Sequence, residues 1–256
     1  MYNSIYDSLI IGKKVIYLPS CHSTNDIAAE LVHKGPVEEG TIVITDNQVG
    51  GRGQRGSKWY TEPSLNLTFS IILRPKFLPV AEQFLICQMV ALAIYDYFSF
   101  YTNEVKIKWP NDIYISDKKI SGTLIENSIQ GSSISHSIVG IGININQIHF
   151  SNFRSTSLAD ILGFTTSLQE EFSKLVRLLD AGYIRLKSMR QQQQIRSLYL
   201  SHLHGYQQTI TFFHKDEIVK GTVTNITNSG MLCVKFDGKD EIQKFGLKEI
   251  EFLWDN

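Results

Sequence analysis

A run of short apolar segments between residues 105 and 144 constrains the fold more than any other feature. Four segments rich in β-branched residues follow one another there: Val105 to Lys108, Asp112 to Ile115, Lys119 to Asn127 and Ser137 to Asn144. Turn residues separate them, at Asp117-Lys118 and at Gln130-Gly131-Ser132. Strands joined by such short connections pair as antiparallel hairpins. The sequence therefore predicts a sheet built largely from neighbouring strands.

Two earlier strands and three helices complete the predicted main domain. The strands are Thr41 to Thr45 and Asn66 to Leu73, and the second is predicted to be half-buried because apolar and polar residues alternate along it. Helical periodicity marks Thr24 to Val32 behind a Ser23 or Thr24 cap, the apolar Val80 to Phe98, and the amphipathic Ser167 to Arg190. The fold class is therefore α+β, with a mixed or antiparallel sheet flanked by helices.

The start of the last helix carries two further signals. Ser167 and Glu170 fit a capping box, in which each side chain bonds a backbone amide at the helix start. Glu170 is also placed to pair with Lys174 one turn later. These signals predict that the amphipathic helix begins close to Ser167.

The residues after Gly205 differ in character from the rest of the chain. Short strand patterns dominate from Gln208 to Leu253, with turn residues between them, which predicts a small β-barrel. The predicted division is residues 1–190 for the main domain, 191–206 for a connecting helix or linker, and 207–256 for the barrel.

Composition excludes several classes of protein. The 25 basic and 25 acidic residues cancel, so the basic field typical of a nucleic-acid binder is missing. The three cysteines are far apart and the seven histidines lack metal-ligand spacing, which favours reduced thiols in a cytoplasm over zinc or disulfides. The N-terminus has no signal-peptide pattern, and the most apolar stretch, Phe84 to Phe100, is too short for a comfortable membrane span.

The stretch GGRGQRGSKWY at residues 50–60, here called the glycine loop, is the first candidate for chemistry. Its order of residues is not that of the standard phosphate loop, and the spacing G-x-G-x-x-G alone is weak. A flexible surface turn is the plain interpretation. Arg52 and Arg55 stand between glycines, however, where backbone amides and planar guanidinium groups can converge on an anion.

Three further stretches leave a structural and a functional interpretation open. KWPNDIYI is a tight turn, or it presents a carboxylate to a sugar hydroxyl or to Mg²⁺. In DKKISGTLIE the lysine at 119 is solvated, or it points into a cavity beside Gly122. VGIGININ contains a bulge, or a partner packs against its bare backbone at the two glycines.

Together these stretches resemble a known family. HSTND at 22–26, QVGGRGQRGSKW at 48–59, NLTFSIILRP at 66–75, KWPNDIYISDKKISG at 108–122 and VGIGININ at 139–146 occur in the order found in biotin–protein ligases. The resemblance covers the whole chain, because that family ends in a small SH3-like barrel. It implies the class II synthetase-like fold that biotin and lipoate ligases share.

The resemblance also implies a reaction. Biotin and Mg²⁺-ATP give biotinyl-5′-AMP and pyrophosphate, and a lysine of a biotin carboxyl carrier protein then takes the biotinyl group. The cofactors expected are thus ATP and Mg²⁺, with biotin as substrate. The expected partner is the carrier protein, with no nucleic acid and no membrane, and the enzyme is expected to be a cytoplasmic monomer or homodimer.

Site roles carry over from the family onto matching positions. Lys119 and Arg52 are the implied catalytic residues. The implied biotin contacts are Ser23, Thr24, Asn25, Gln48, Gly51, Arg52, Gly53, Gln54, Lys119, Gly122 and Leu124. The implied nucleotide contacts are Arg52, Arg55, Trp59 beside the adenine, Asn111, Asp112, Lys119 and Asn144. Asn111 and Asp112 are also the candidates to meet Mg²⁺.

Two departures from the family pattern stand out. Gln54 occupies a position that is basic in the best-known form of the loop, G-R-G-R-R-G. Only 22 residues precede Ser23, which predicts a form without the DNA-binding domain that some members carry.

Two other functions compete with this interpretation. One is a lipoate or octanoyl ligase, against which the GRGQRG loop and the predicted barrel argue. The other is a non-enzymatic biotin or nucleotide sensor, including a DNA-binding repressor, against which Lys119 and the predicted lack of an N-terminal DNA-binding domain argue.

Overall fold

The structure is a computed structural model that describes residues 2–5 and 7–254, with only the backbone of Arg55. Seven strands form the main sheet: β1 (Val15–Cys21), β2 (Thr41–Gln48), β3 (Leu67–Leu73), β4 (Val105–Lys108), β5 (Asp112–Ile115), β6 (Lys118–Gln130) and β7 (Ser133–Ile143). Their order is β1-β2-β3-β7-β6-β5-β4. Only β1 and β2 are parallel among these described pairs. The predicted mixed sheet with antiparallel hairpins is confirmed.

Five helices flank this sheet: α1 (Thr24–Lys34), α2 (Phe84–Ser99), α3 (Leu158–Leu162), α4 (Leu168–Leu186) and α5 (Met189–Ser201). α1 covers one face, where Ala28 packs with Val43, Ile72 and Ile138. α2 and α4 pack together in the large core on the other face. Removal of this apolar surface from water is the main stabilising contribution to the fold.

Several details differ from the sequence prediction. β3 is buried on both faces rather than one, because α1 covers the polar side that carries Thr68 and Ser70. The helix predicted for Ser167 to Arg190 ends at Leu186, and α5 begins at Met189 after the extended Ser188 and continues into the predicted connecting segment. The apolar segment from Val80 begins with a 3₁₀ turn before α2. β1 and α3 were not predicted.

The capping prediction at the start of α4 is confirmed in part. The hydroxyl of Ser167 accepts the amide of Glu170, at 3.4 Å. Lys174 pairs with the buried Glu171 at 2.9 Å, and not with Glu170 as predicted. Glu171 also accepts hydrogen bonds from the hydroxyls of Tyr97 and Tyr101. Lys174 therefore pairs with a carboxylate that these two bonds hold in place.

A second, five-stranded antiparallel sheet follows α5. Its strands are β8 (Thr209–His214), β9 (Glu217–Ile226), β10 (Leu232–Phe236), β11 (Ile242–Phe245) and β12 (Glu251–Leu253), in the order β11-β10-β9-β8-β12. This sheet is consistent with the predicted SH3-like barrel, whereas the exact division at residues 190 and 207 stays a prediction. Directly after β12, Trp254 stacks on Tyr114 of the main sheet, with ring centroids 4.9 Å apart.

Within the described residues, the helices are all too short or too polar to cross a membrane.

Candidate active site

A cavity of about 190 Å³ lies against β6 and β7, between the start of α1 and the glycine loop. Residues from six separate parts of the chain line it. Those that the sequence predicted are Ser23, Thr24, Asn25, Gln48, Arg52, Gly53, Gln54, Trp59, Asn111, Asp112, Lys119, Gly122 and Leu124. The fold thus brings most of the predicted biotin and nucleotide contacts to one place, and their individual roles stay predictions.

Two predicted residues are placed differently, and the position of a third side chain is not described. Gly51 lines a neighbouring open groove of about 740 Å³, which shares Arg52, Gly53 and Trp59 with the cavity. Asn144 is buried behind the cavity, where its amide nitrogen donates to the carbonyl of Thr156 at 3.0 Å. The side chain of Arg55 lies outside the part of the chain that the structure describes.

Two glycines of β7 allow side chains to pack directly on the sheet. A Cβ atom on Gly140 would collide with the amide of Asn25, and one on Gly142 would collide with the indole of Trp59. The alternative in which a partner packs against the bare backbone of VGIGININ is therefore confirmed. Sequence reasoning noted both glycines but gave them no role in the site, although both line the cavity.

Hydroxyl and amide groups from Ser23, Thr24, Asn25, Gln48 and Ser70, here called the polar cluster, meet beside Gly140. Ser23, Thr24 and Asn25 are 3–4% exposed. The Ser70 hydroxyl lies 2.7 Å from the Thr24 hydroxyl and 2.6 Å from the Asn25 carbonyl oxygen. The Thr24 amide donates to Gln48 at 2.8 Å. Such groups both donate and accept hydrogen bonds, so the cluster suits a neutral polar ligand group.

Lys119 lies at the other part of the cavity, where its ammonium nitrogen is 2.6 Å from a carboxylate oxygen of Asp112. A three-residue separation along a regular strand would place Lys119 and Gly122 on opposite faces. The register of β6 against β5 shifts between Ser121 and Lys119, which is a β-bulge. A bulge redirects the side chains beyond it, and Lys119 accordingly lies against Gly122.

The backbone around Lys119 is held from the other side by the segment before α3. The Lys119 amide donates to the carbonyl of Arg154 at 2.8 Å, and the Thr156 amide donates to the carbonyl of Lys119 at 3.0 Å. Asn144 contributes through its backbone amide, which donates to Ile120 at 3.0 Å. These bonds fix the bulge, and with it the direction of the lysine side chain.

Trp59 covers the strands at the same level. Its ring lies 5.7 Å from the ammonium of Lys119, within range of a cation–π interaction. Its indole nitrogen is buried and has no hydrogen-bond partner among the described residues. The resemblance places this tryptophan beside adenine, whereas here its indole packs on Gly142 and beside Gly122, within the set predicted for biotin.

Arg52 extends from the glycine loop toward two carboxylates that sequence reasoning missed. Its guanidinium lies 2.5 Å from Asp26 on α1 and 3.4 Å from Glu126 on β6. Glu126 in turn accepts the Asn25 amide at 2.7 Å, which links the loop to the polar cluster. Asp26 stands within the HSTND motif, so the motif itself was the available signal, while Glu126 carried none.

Positive charge surrounds Asp112 at the start of β5. Burial lowers the pKa of Lys108, and the nearby charge of Asp112 opposes that shift. The charges of Lys119 and Arg154 lower the pKa of Lys108 further, whereas the charge of Glu251 raises it. An anionic ligand beside Lys119 would meet this cationic surplus.

The two candidate magnesium ligands, Asn111 and Asp112, both make contacts within the protein. One oxygen of Asp112 is engaged by Lys119, and the amide of Asn111 donates to the carbonyl of Thr123 at 2.8 Å. No group of three or more His, Cys, Asp or Glu side chains able to hold a metal occurs among the described residues. The role of Asn111 and Asp112 toward Mg²⁺ stays a prediction.

Comparison with known proteins gives a family match over the same region. The model of the biotin/lipoate A/B protein ligase family matches residues 17–144, half of the chain, and these residues include every predicted site position. The chain belongs to the biotin/lipoate A/B protein ligase family. The cavity described above lies entirely inside the matched region of this chain.

Relatives of this chain include bacterial and plant proteins. The bifunctional ligase/repressor BirA of Bacillus spizizenii is 34% identical over 139 residues, 54% of this chain and 42% of that protein. Biotin–protein ligase 2 of Arabidopsis thaliana is 26% identical over 235 residues, 86% of this chain and 69% of that protein. The match to this chain thus covers less than half of the length of BirA.

Solved structures support the fold assignment for this ligase-family chain. The biotin protein ligase from Aquifex aeolicus in complex with biotin and ATP superposes with a TM-score of 0.76 at 24% identity. The match covers 95% of this chain and all of the other. At this identity the likeness establishes the fold, including the second sheet.

Proposed function

We propose that the protein is an ATP-dependent biotin–protein ligase. It would activate biotin as biotinyl-5′-AMP and transfer the biotinyl group to a lysine of a biotin carboxyl carrier protein. The observation that carries this proposal is the order of chemical groups along β6 and β7. The polar cluster lies at the level of Gly140 and Leu124, whereas Trp59 and Lys119 lie at the level of Gly142 and Gly122.

That order matches the chemistry of biotin. Two residues along a strand span roughly 6.6 Å, so the polar cluster and the lysine are separated by about the length of a short alkyl chain. Biotin carries a neutral cyclic urea, an apolar chain and a carboxylate in the same sequence. The urea donates and accepts hydrogen bonds, as the polar cluster does, and the carboxylate would meet Lys119.

Lipoate is the competing substrate within the family. It also ends in a carboxylate on an alkyl chain, but its dithiolane ring offers no N–H donor. Buried hydroxyl and amide groups left unpaired by such a ring would cost free energy. The polar cluster therefore favours biotin.

The first step would join two anions. A biotin carboxylate oxygen attacks the α-phosphorus of ATP, and the bond to pyrophosphate breaks with its electron pair. Lys119 is placed to reduce the repulsion between carboxylate and phosphate, and Asp112 holds its ammonium in position. Arg52 is the candidate to bind phosphate oxygens from the glycine loop.

The second step would transfer the acyl group. A neutral acceptor lysine amine attacks the carbonyl carbon of the anhydride, AMP leaves, and the amine loses a proton. The anhydride reacts with water, so its protection is part of the function. The glycine loop and Trp59 lie over the cavity and are suited to that protection.

The carrier protein, the cytoplasmic location and a monomeric or homodimeric state remain part of this proposal. Free cysteines agree with a reducing compartment, since Cys87 and Cys233 are buried thiols.

Calorimetric titration with biotin and with lipoate tests the substrate, followed by an assay of pyrophosphate release from ATP. We expect binding of biotin and biotin-dependent release. Asn25→Ala is expected to weaken biotin binding, whereas Asn228→Ala, on an exposed turn of the second sheet, serves as the control. Preference for lipoate would identify the other ligase of the family.

A further inference from the structure

The guanidinium of Arg52 is held by two carboxylates that have no role in the mechanism above. Asp26 approaches it at 2.5 Å from the first turn of α1, and Glu126 approaches at 3.4 Å from β6. All three side chains are 40–46% exposed, and Arg52 lines the cavity. One positive and two negative charges leave a net charge of −1 at the place where a phosphate is expected.

Arg52 is tied to the rest of the glycine loop through the backbone. The Gly53 amide donates to the carbonyl of Ser57 at 2.7 Å, and the Trp59 amide donates to the carbonyl of Gly51 at 3.0 Å. The loop is therefore a small hairpin, with Arg52 opposite Lys58. The ion pairs from Arg52 to α1 and β6 therefore also keep this hairpin, including Trp59, over the cavity.

We propose that Asp26 and Glu126 are positioning residues for Arg52. Without ligand they hold the arginine and the glycine loop over the cavity, in the place of a bound anion. A phosphate that binds Arg52 must then displace these carboxylates. The two carboxylates therefore weaken nucleotide binding while they keep the loop ordered. The phosphate half of this statement rests on the proposed function, and the loop half does not.

The deciding experiment is amide hydrogen exchange on the protein without ligand. In the double variant Asp26→Asn, Glu126→Gln, the amides of residues 50–59 should exchange roughly 3- to 10-fold faster, the range expected for loss of exposed ion pairs. Glutamine keeps an acceptor for Asn25, so the change isolates charge. Arg52→Ala should give the same increase.

Glu30→Gln is the matched control, because Glu30 also lies on α1 and pairs with Lys34 at 3.2 Å. Its loop exchange should equal that of the wild type. Equal loop exchange in the wild type, the double variant and Arg52→Ala would overturn the proposal. Thermal melting confirms that each variant is folded.

Titration with ATP supplies the second measurement. The double variant should bind ATP several-fold more tightly than the wild type, and this gain should vanish when Arg52 is also replaced by alanine. An unchanged or weaker ATP affinity would refute the competition. If the wild type bound neither ATP nor biotin, the proposed function would fail, and hydrogen exchange would still decide whether the carboxylates hold Arg52.

Discussion

The ammonium of Lys119 lies 2.6 Å from a carboxylate oxygen of Asp112, immediately before the bulge in β6. The pair is partly buried, with 30% and 28% of the two side chains exposed. Water screens such a pair less than a surface pair, so its charges are oriented before a ligand arrives.

Lys119→Ala should lower the rate of biotin-dependent pyrophosphate release by about 10²–10³-fold, because one preorganised charge for the transition state is lost. Lys118→Ala is the control, since that neighbouring lysine is exposed. Both variants should melt close to the wild-type temperature. Wild-type pyrophosphate release from Lys119→Ala would remove this lysine from the mechanism.

Gly142→Ala should weaken biotin binding by about 5- to 150-fold, the effect of about 1–3 kcal/mol of overpacking. A Cβ atom at this position would lie 2.5 Å from the indole nitrogen of Trp59, so the ring must move. Gly246→Ala is the control, because a Cβ atom there meets its nearest neighbour at 3.4 Å. Equal dissociation constants for biotin in both variants would show that the position of Trp59 is unimportant.

Gln54→Arg should slow dissociation of biotinyl-5′-AMP several-fold. Gln54 lines the cavity, and arginine can form a charge-assisted bond to phosphate that exceeds a neutral bond by about 1 kcal/mol. Gln193→Arg, the same substitution at an exposed position of α5, should leave the off-rate of biotinyl-5′-AMP unchanged. A faster or unchanged off-rate in Gln54→Arg would mean that another residue already supplies the charge.

Asp180→Ala should reduce the free energy of unfolding by about 2–4 kcal/mol, because buried amides lose a charged acceptor. The Asp180 carboxylate accepts the amides of Leu9, Ile10 and Ile11 at 2.7–2.9 Å. Urea denaturation measures the change. Asp7→Ala, which removes an exposed partner of Arg177, should have no measurable effect, and equal stability of both variants would contradict this role of Asp180.

Most of the main sheet could be predicted because its signals are local. The strands from 105 to 143 are short, β-branched and separated by turn residues, and the structure has strands at each predicted place. β1 was missed because Pro19 interrupts its pattern. A proline is tolerated there since β1 is an edge strand that pairs only with β2 among the described strands.

The cavity-lining residues were largely predictable from the motifs, whereas their mutual geometry was not. The bulge that turns Lys119 toward Gly122 depends on pairing with β5 and on contacts to the segment at 154–156. The partners of Arg52 lie 26 and 74 residues away along the chain. No local pattern encodes such contacts, and they follow only from the packing of α1 and the loop on the sheet.

The most direct test of the proposed function is mass spectrometry of a biotin carboxyl carrier domain after incubation with the protein, ATP and biotin. The proposal predicts that the carrier gains the mass of one biotinyl group on a single lysine, and that omission of ATP abolishes the gain. An unmodified carrier, or modification when lipoate replaces biotin and not with biotin itself, would contradict it.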